Sequence, residues 1–243
     1  MISVGFKTDK GMFRSGNEDS LFVMPQQHLY IVADGVGGHN SGELASRMTV
    51  GYMAQYAALN HIEKIAGPKD LKKYFITCFS GANELVYSKS LSEPDNHGMA
   101  TTCVLCYLRE PTAYVVNVGD SRAYLVRDGV IRQISEDHTC VQEMIRKGLL
   151  TEAEGAARPD KNVITRAIGG DESVEPDFFC FETYPGDVII LCTDGLYGEV
   201  DDSTIQQFAS GAATMHRLAK DLVDEANKNG GKDNISVVCI KIQ

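Results

Sequence analysis

The chain predicts an α+β fold of layered strands covered by segregated helices, and three observations carry that prediction. β-Branched and aromatic runs follow one another at 101–108, 112–118 and 122–126 with no helical pattern between them. Helical periodicity is confined to two stretches after the first strands and to a region near the end. Strand and helix therefore do not alternate, which argues against a doubly wound parallel sheet.

The N-terminal third reads as strand, strand, then helices. The apolar run LYIVAD at 29–34 stops at the glycines that follow Asp34. Ser41 is placed to cap a first helix, with a stripe of Leu44, Met48, Tyr52 and Gln55, and Gly67-Pro68 breaks it. A second helix from about Pro68 puts Leu71, Phe75, Cys78, Phe79, Ala82 and Val86 on one face. In the strand-rich middle, Asp128-Gly129 marks a hairpin turn. The pattern changes over 136–166, with a short helix from Val141 ended by Gly148 and then a polar, turn-rich stretch at 151–162. This marks an inserted, mobile surface segment. Strands return at 178–181 and 187–194. A helix over 214–227 carries Met215, Leu218, Leu222 and Ala226, and an apolar strand at 235–242 is expected to be locked in a sheet.

The 243 residues suit one domain with a sizeable core, and neither a repeat nor an internal boundary is visible. With 33 acidic against 23 basic side chains, the net charge of -10 argues against nucleic acid or an anionic membrane as the main partner. The opening MISVGFKTDK reaches charge too soon for a signal peptide, and no run is long enough to span a bilayer. A cytoplasmic location is expected. Seven scattered cysteines read as buried free thiols, and the Cys103/Cys106 pair points to opposite faces of one strand, which disfavours a disulfide or shared metal.

The chemistry concentrates in aspartates that end apolar runs, at Asp34-Gly35, Asp120-Ser121 and Asp194-Gly195, and at Asp233-Asn234 in a turn entering a strand, with Glu18-Asp19 as a further pair. One such aspartate is commonly a turn former. Clustered carboxylates, however, repel one another unless cations neutralise them, and an all-oxygen set suits Mg2+ or Mn2+. Calcium-loop, zinc, P-loop, dinucleotide and GxSxG patterns are all absent. Two hard ions sharing a carboxylate can hold a bridging hydroxide as nucleophile. Arg14, just before Glu18-Asp19, has the guanidinium fork that suits a phosphate monoester, or it pairs with an acid at the surface.

Eight stretches occur in order: RSGNED at 14–19, DGVGGH at 34–39, GMATT at 98–102, VGDSRAY at 118–124, DHT at 137–139, ITRAIG at 164–169, LCTDGL at 191–196 and DNISVV at 233–238. Together they make the chain resemble the metal-dependent serine/threonine protein phosphatases of the PPM (type 2C) family in compact bacterial form. The resemblance implies a four-layer α-β-β-α sandwich, two antiparallel sheets face to face with helices outside. It implies that Asp34 bridges two core ions, with the Gly35 carbonyl on one and Asp194 and Asp233 on the other. Glu18 would act through metal-bound waters, Asp19 would support that shell, and Arg14 would clamp phosphate. Asp120, with Asp194, would hold a weaker third ion. Residues 140–169 would form a flap beside the cleft within a single catalytic domain, 1–243. Phosphoserine and phosphothreonine proteins are the implied substrates, a serine/threonine kinase the opposing partner, and a monomer the expected state.

Several positions depart from the family pattern. Val36 stands where animal members carry a proposed acid histidine, so a metal-bound water is expected to protonate the leaving group; His39 is a weaker candidate acid or a structural hydrogen-bonding group. Ala100, Gly198 and Arg158 replace a usual glycine, aspartate and histidine, and none of these changes removes a predicted ligand. Two other readings are a catalytically weak metal-binding regulatory module that binds a phosphoprotein or kinase, and a phosphatase for small metabolites. Loss of a core acid would mark the first, and none is lost; the second would share the same site.

Overall fold

The computed structural model describes residues 1–38 and 41–243, so His39 lies outside the described residues. The strands are β1 (Ile2–Asp9), β2 (Asp19–Met24), β3 (Leu29–Val36), β4 (Ala100–Thr101), β5 (Cys103–Arg109), β6 (Thr112–Val118), β7 (Arg122–Arg127), β8 (Val130–Gln133), β9 (Asp177–Glu182), β10 (Val188–Cys192) and β11 (Ile235–Ile242). The helices are α1 (Ser41–Leu59), α2 (Pro68–Ser92), α3 (Cys140–Arg146), α4 (Glu152–Ala156), α5 (Asp194–Tyr197), α6 (Asp202–Gly211) and α7 (Met215–Lys228). One antiparallel sheet runs β1-β11-β10-β7-β8 and the other β2-β3-β5-β6-β9, with β4 beside β3.

Strand alternation builds the layers. Tyr30 and Val32 of β3 face the β1-β11-β10-β7-β8 sheet and share a core with Ala123, Leu125, Ile189, Leu191, Val238 and Ile240. Leu29 and Ile31 point the other way, into α1 and α2. The outer face of the β11 sheet, through Ile190, Val237 and Cys239, packs on α5, α6 and α7. The result is the expected α-β-β-α sandwich, in which each large aliphatic side chain removed from water contributes roughly 1.5–3 kcal/mol. Cys103 and Cys106 fall on opposite sides of β5, one under the helices and one between the sheets.

The α2 face and the α7 stripe are buried as expected. Asp128 and Gly129 turn the β7–β8 hairpin at φ 51° and 74°, the left-handed pair that such a turn requires. The terminal strand β11 lies between β1 and β10.

Four expectations need correction. All seven cysteines are free thiols, but Cys180 is exposed on the edge strand β9 and Cys140 is half-buried, so only five are buried. The α1 face nearest the core is Ala45, Thr49, Val50, Met53 and Ala57; Leu44, Met48 and Tyr52 pack at its margin, and Gln55 is exposed. Small residues let the helix lie close on the sheet, so the bulky stripe flanks the contact. Ser41 is the first helical residue and donates its hydroxyl to the Gly38 and Asp95 carbonyls, so it does not cap α1. The polar stretch after Thr151 contains α4, closed by a capping box between Thr151 and Glu154. With α3 it forms a two-helix excursion whose roots join where Cys140 N donates to Val163 O and Thr165 N to His138 O. The helix α6, which carries no strong stripe of large residues, is started by Asp201 accepting from Thr204 N.

Candidate active site

Antiparallel pairing brings the strand-end acids to one edge of the sandwich. Asp19 opens β2 directly across from Asp34 near the end of β3. Asp194 follows β10 and opens α5, while Asp233 precedes β11, the strand that pairs with β10. Asp120 lies in the connection that passes from β6 in one sheet to β7 in the other. Together with Glu18 and Arg14, every side chain expected at the site falls in this one cluster.

The backbone around each acid is fixed by polar residues. Asp34 N donates to Thr102 Oγ1 at 2.9 Å, and the Asp34 carbonyl accepts from Thr101 Oγ1 and Thr102 N at 2.8 Å. Asn234 Oδ1 accepts from Glu18 N at 2.8 Å while its Nδ2 donates to the Lys10 and Gly16 carbonyls, pinning the Arg14–Glu18 loop against β11. Thr193 Oγ1 donates to Asp19 Oδ2 at 2.9 Å and accepts from Ser236 N, a link between the two sheets. Thr101, Thr102, Thr193 and Asn234 sit inside the motifs quoted above, yet none was expected to act at the site; their neighbours' acids were the visible signal.

Burial and mutual repulsion dominate the electrostatics. Burial first, then Asp19, Asp194, Asp120 and Asp233, push the Asp34 carboxyl well above its ordinary range. Burial raises Asp19 to about 7 against the opposing pull of the nearby Ser236 and Thr193 hydroxyls. Asp120 is likewise pushed up to about 7 by burial and by Asp194 and Asp137. Asp194 is raised by burial and Asp233, and its carboxyl is close enough to that of Asp34 for a hydrogen bond between them. Glu18 is raised by burial against the pull of Arg14.

Asp19 Oδ1 and Asp194 Oδ1 are buried with no hydrogen-bond partner. Orphaned carboxylate oxygens facing other acids are what hard cations satisfy, so the donor set fits divalent ions. No three acid, histidine or cysteine side chains among the described residues close into a ready-made shell.

Arg14 is exposed and its Nη2 donates to Asp233 Oδ2 at 2.7 Å, a bond that raises its pKa further. A candidate phosphate clamp and a candidate metal ligand are therefore partners here. Val36 is exposed beside Gly35 and carries no proton to give. A cleft of about 510 Å³ has Asp120, Asp194 and Asp233 on one side and Val141, Ile145 and Lys161 of the two-helix excursion on the other.

Glycine is required where α1 meets the acids. A methyl added at Gly42 would fall 2.2 Å from Glu18 Oε2 and 2.8 Å from the Gly35 carbonyl oxygen, so those two oxygens flank a single point. Gly42→Ala is expected to displace Glu18 and weaken Mn2+ binding by roughly 10–100-fold. Calorimetric titration checks this, and unchanged affinity would show that Glu18 is free to move.

Solved structures that share this double-sheet sandwich carry the name of phosphatase. The S. agalactiae serine/threonine phosphatase superposes with a TM-score of 0.93 at 30% identity over 100% of both chains. The catalytic domain of PstP in complex with two manganese ions gives 0.85 at 32% identity, over 100% of this chain and 99% of that one. The family model for protein phosphatase 2C matches residues 8–235, and the chain belongs to that family. Among curated relatives, the serine/threonine phosphatase stp of Listeria monocytogenes is 33% identical over 97% of this chain and 94% of its own. PstP of Mycobacterium tuberculosis is 36% identical over 96% of this chain and 43% of its longer one. No helix among the described residues is long and apolar enough to cross a membrane.

Proposed function

We propose that this chain hydrolyses phosphoserine and phosphothreonine esters in proteins with the help of bound divalent cations. The observation that carries the reading is the convergence of Asp19, Asp34, Asp120, Asp194 and Asp233 at one sandwich edge, with two buried carboxylate oxygens left without partners. Asp34, the Gly35 carbonyl, Asp194 and Asp233 would hold two core ions, with Glu18 and Asp19 supporting their shell and Asp120 with Asp194 holding a weaker third. Mn2+ and Mg2+ both suit these donors. When bound, such ions supply an activated water and offset charge on the phosphoryl oxygens.

The protein's own groups do the rest. Arg14, at the exposed rim, can exchange Asp233 for the substrate's phosphoryl oxygens. Val36 offers no general acid, so the leaving serine or threonine oxygen takes its proton from water in the cleft. Cys192, the thiol nearest in sequence to the acids, is buried and its pKa is raised by burial, so it is no nucleophile. The pairing of β1 with β11, first strand with last, supports reading residues 1–243 as one catalytic domain with a flap at about 140–169. A monomer in the cytoplasm, opposing a serine/threonine kinase, completes the proposal.

Turnover of a phosphothreonine peptide is expected with Mn2+ or Mg2+ and not with EDTA; turnover that persists in EDTA would overturn the metal assignment. Arg14→Ala removes a charge-assisted contact of about 1.5–3 kcal/mol, so KM should rise roughly 10- to 100-fold. An unchanged KM for the peptide would end its role as clamp.

A further inference from the structure

Tyr197 was not among the expected site residues, yet it connects two of them. It closes the short helix that Asp194 opens, and its hydroxyl donates to the backbone carbonyl of Asp120 at 2.9 Å. Because Asp120 sits where the chain crosses between the sheets, this bond ties the crossing to the segment after β10.

The tyrosine ring is itself held in place. The Arg122 guanidinium carbon stands 3.6 Å from the ring centroid. Asp137 grips that guanidinium with bonds of 2.7 and 3.1 Å, Tyr124 Oη accepts from Nη1 at 2.9 Å, and Gln133 Nε2 donates to Asp137 at 2.8 Å. Arg122 lines the cleft, with each of its three nitrogens donating to Asp137 or Tyr124 and its face stacked on the ring, so it braces Tyr197. Asp120 and Asp194 are buried carboxylates that repel each other, and the tyrosine bond resists their separation.

We propose that Tyr197 is a positioning residue that holds Asp120 in place beside Asp194, and through Asp120 sets the affinity of the weaker divalent ion, with less effect on the core ions, of which Asp120 is not a ligand. This rests on the assignment of Asp120 to that ion. Tyr197→Phe keeps the ring and its stacked arginine and deletes only the hydroxyl.

Calorimetric Mn2+ titration of the metal-free protein, with Tm measured alongside, tests the idea in wild type, Tyr197→Phe and Asp120→Asn. The expected result is a tight and a weak phase in wild type and loss of the weak phase in Asp120→Asn. In Tyr197→Phe the weak-phase Kd should rise about tenfold, with the tight phase unchanged and Tm lower only by the few degrees that one lost hydrogen bond costs. A weak phase that survives Asp120→Asn, or is missing from wild type, removes the underlying assignment and the proposal with it. A weak phase lost in Asp120→Asn but unchanged in Tyr197→Phe overturns the proposal alone. So does joint weakening of both phases with a larger fall in Tm, which would mark general loosening of the fold.

Discussion

Asp34→Asn is expected to lower kcat on a phosphothreonine peptide by about 10³-fold or more while raising the Tm of the metal-free protein. The two effects have one cause. Asp34 is the acid most surrounded by others, with Asp19, Asp194, Asp120 and Asp233 all raising its pKa after burial itself. In the loaded enzyme that concentration of negative charge would hold the ions; without them it is repulsion in a poorly solvated place. Asparagine has the same shape and no charge, and the backbone bonds to Thr101 and Thr102 do not involve the side chain. Removing the charge should stabilise the metal-free fold, and each kcal/mol gained moves Tm by about 2–4 °C in a chain of this size. Peptide kinetics and thermal melts in EDTA check both halves. A variant that keeps wild-type kcat, or melts lower than wild type in EDTA, would contradict the assignment.

The second large effect is that Mn2+ should raise Tm more at about pH 8 than at about pH 5.5. Asp19 and Asp120 are pushed up to about 7 from 3.8. In the folded, metal-free protein they keep their protons where the unfolded chain has lost them. Their contribution to stability is complete below the ordinary aspartate value and is lost as pH rises through about 7. Between those limits each contributes about 1.4 kcal/mol per pH unit. His138 works in the opposite direction. Burial holds its pKa below 6.5, so its contribution is present above that value and lost as pH falls through the lower folded one. A single imidazole is outweighed by the several raised carboxylates. Bound ions replace the protons, so the loss of stability at high pH should be largely suppressed by Mn2+. Thermal melts at the two pH values with and without Mn2+ measure it; an equal Mn2+ gain at both would show that the ions do not bind among these acids.

Much of the fold is legible because its signals are local. The α2 face, the α7 stripe and the Asp128-Gly129 turn each depend on residues within a few positions of one another. The errors have local causes too. The polar residues of the Thr151 capping box look like turn formers, and the small residues that seat α1 on its sheet carry less apolar signal than the bulky ones beside them. At the site, the acids stand out because strand-end aspartates before glycine or asparagine recur along the chain. Their supports do not. Thr102 is 68 residues from Asp34, Thr193 is 174 from Asp19, and Asn234 is 216 from Glu18. A threonine inside a motif has no pattern that names its partner so far away.

The sequence by itself determined the strand and helix periods, the stock of acids and the ordered motifs that place the chain among the type 2C phosphatases. Those depend on side-chain type and on spacing along the chain. Only the tertiary structure decided that Asp19 lies opposite Asp34, that Arg14 rests on Asp233, and that Tyr197 reaches across to Asp120. Charge repulsion, desolvation and hydrogen bonding act over a few ångströms of space, and strands far apart in the chain must pair before those distances exist.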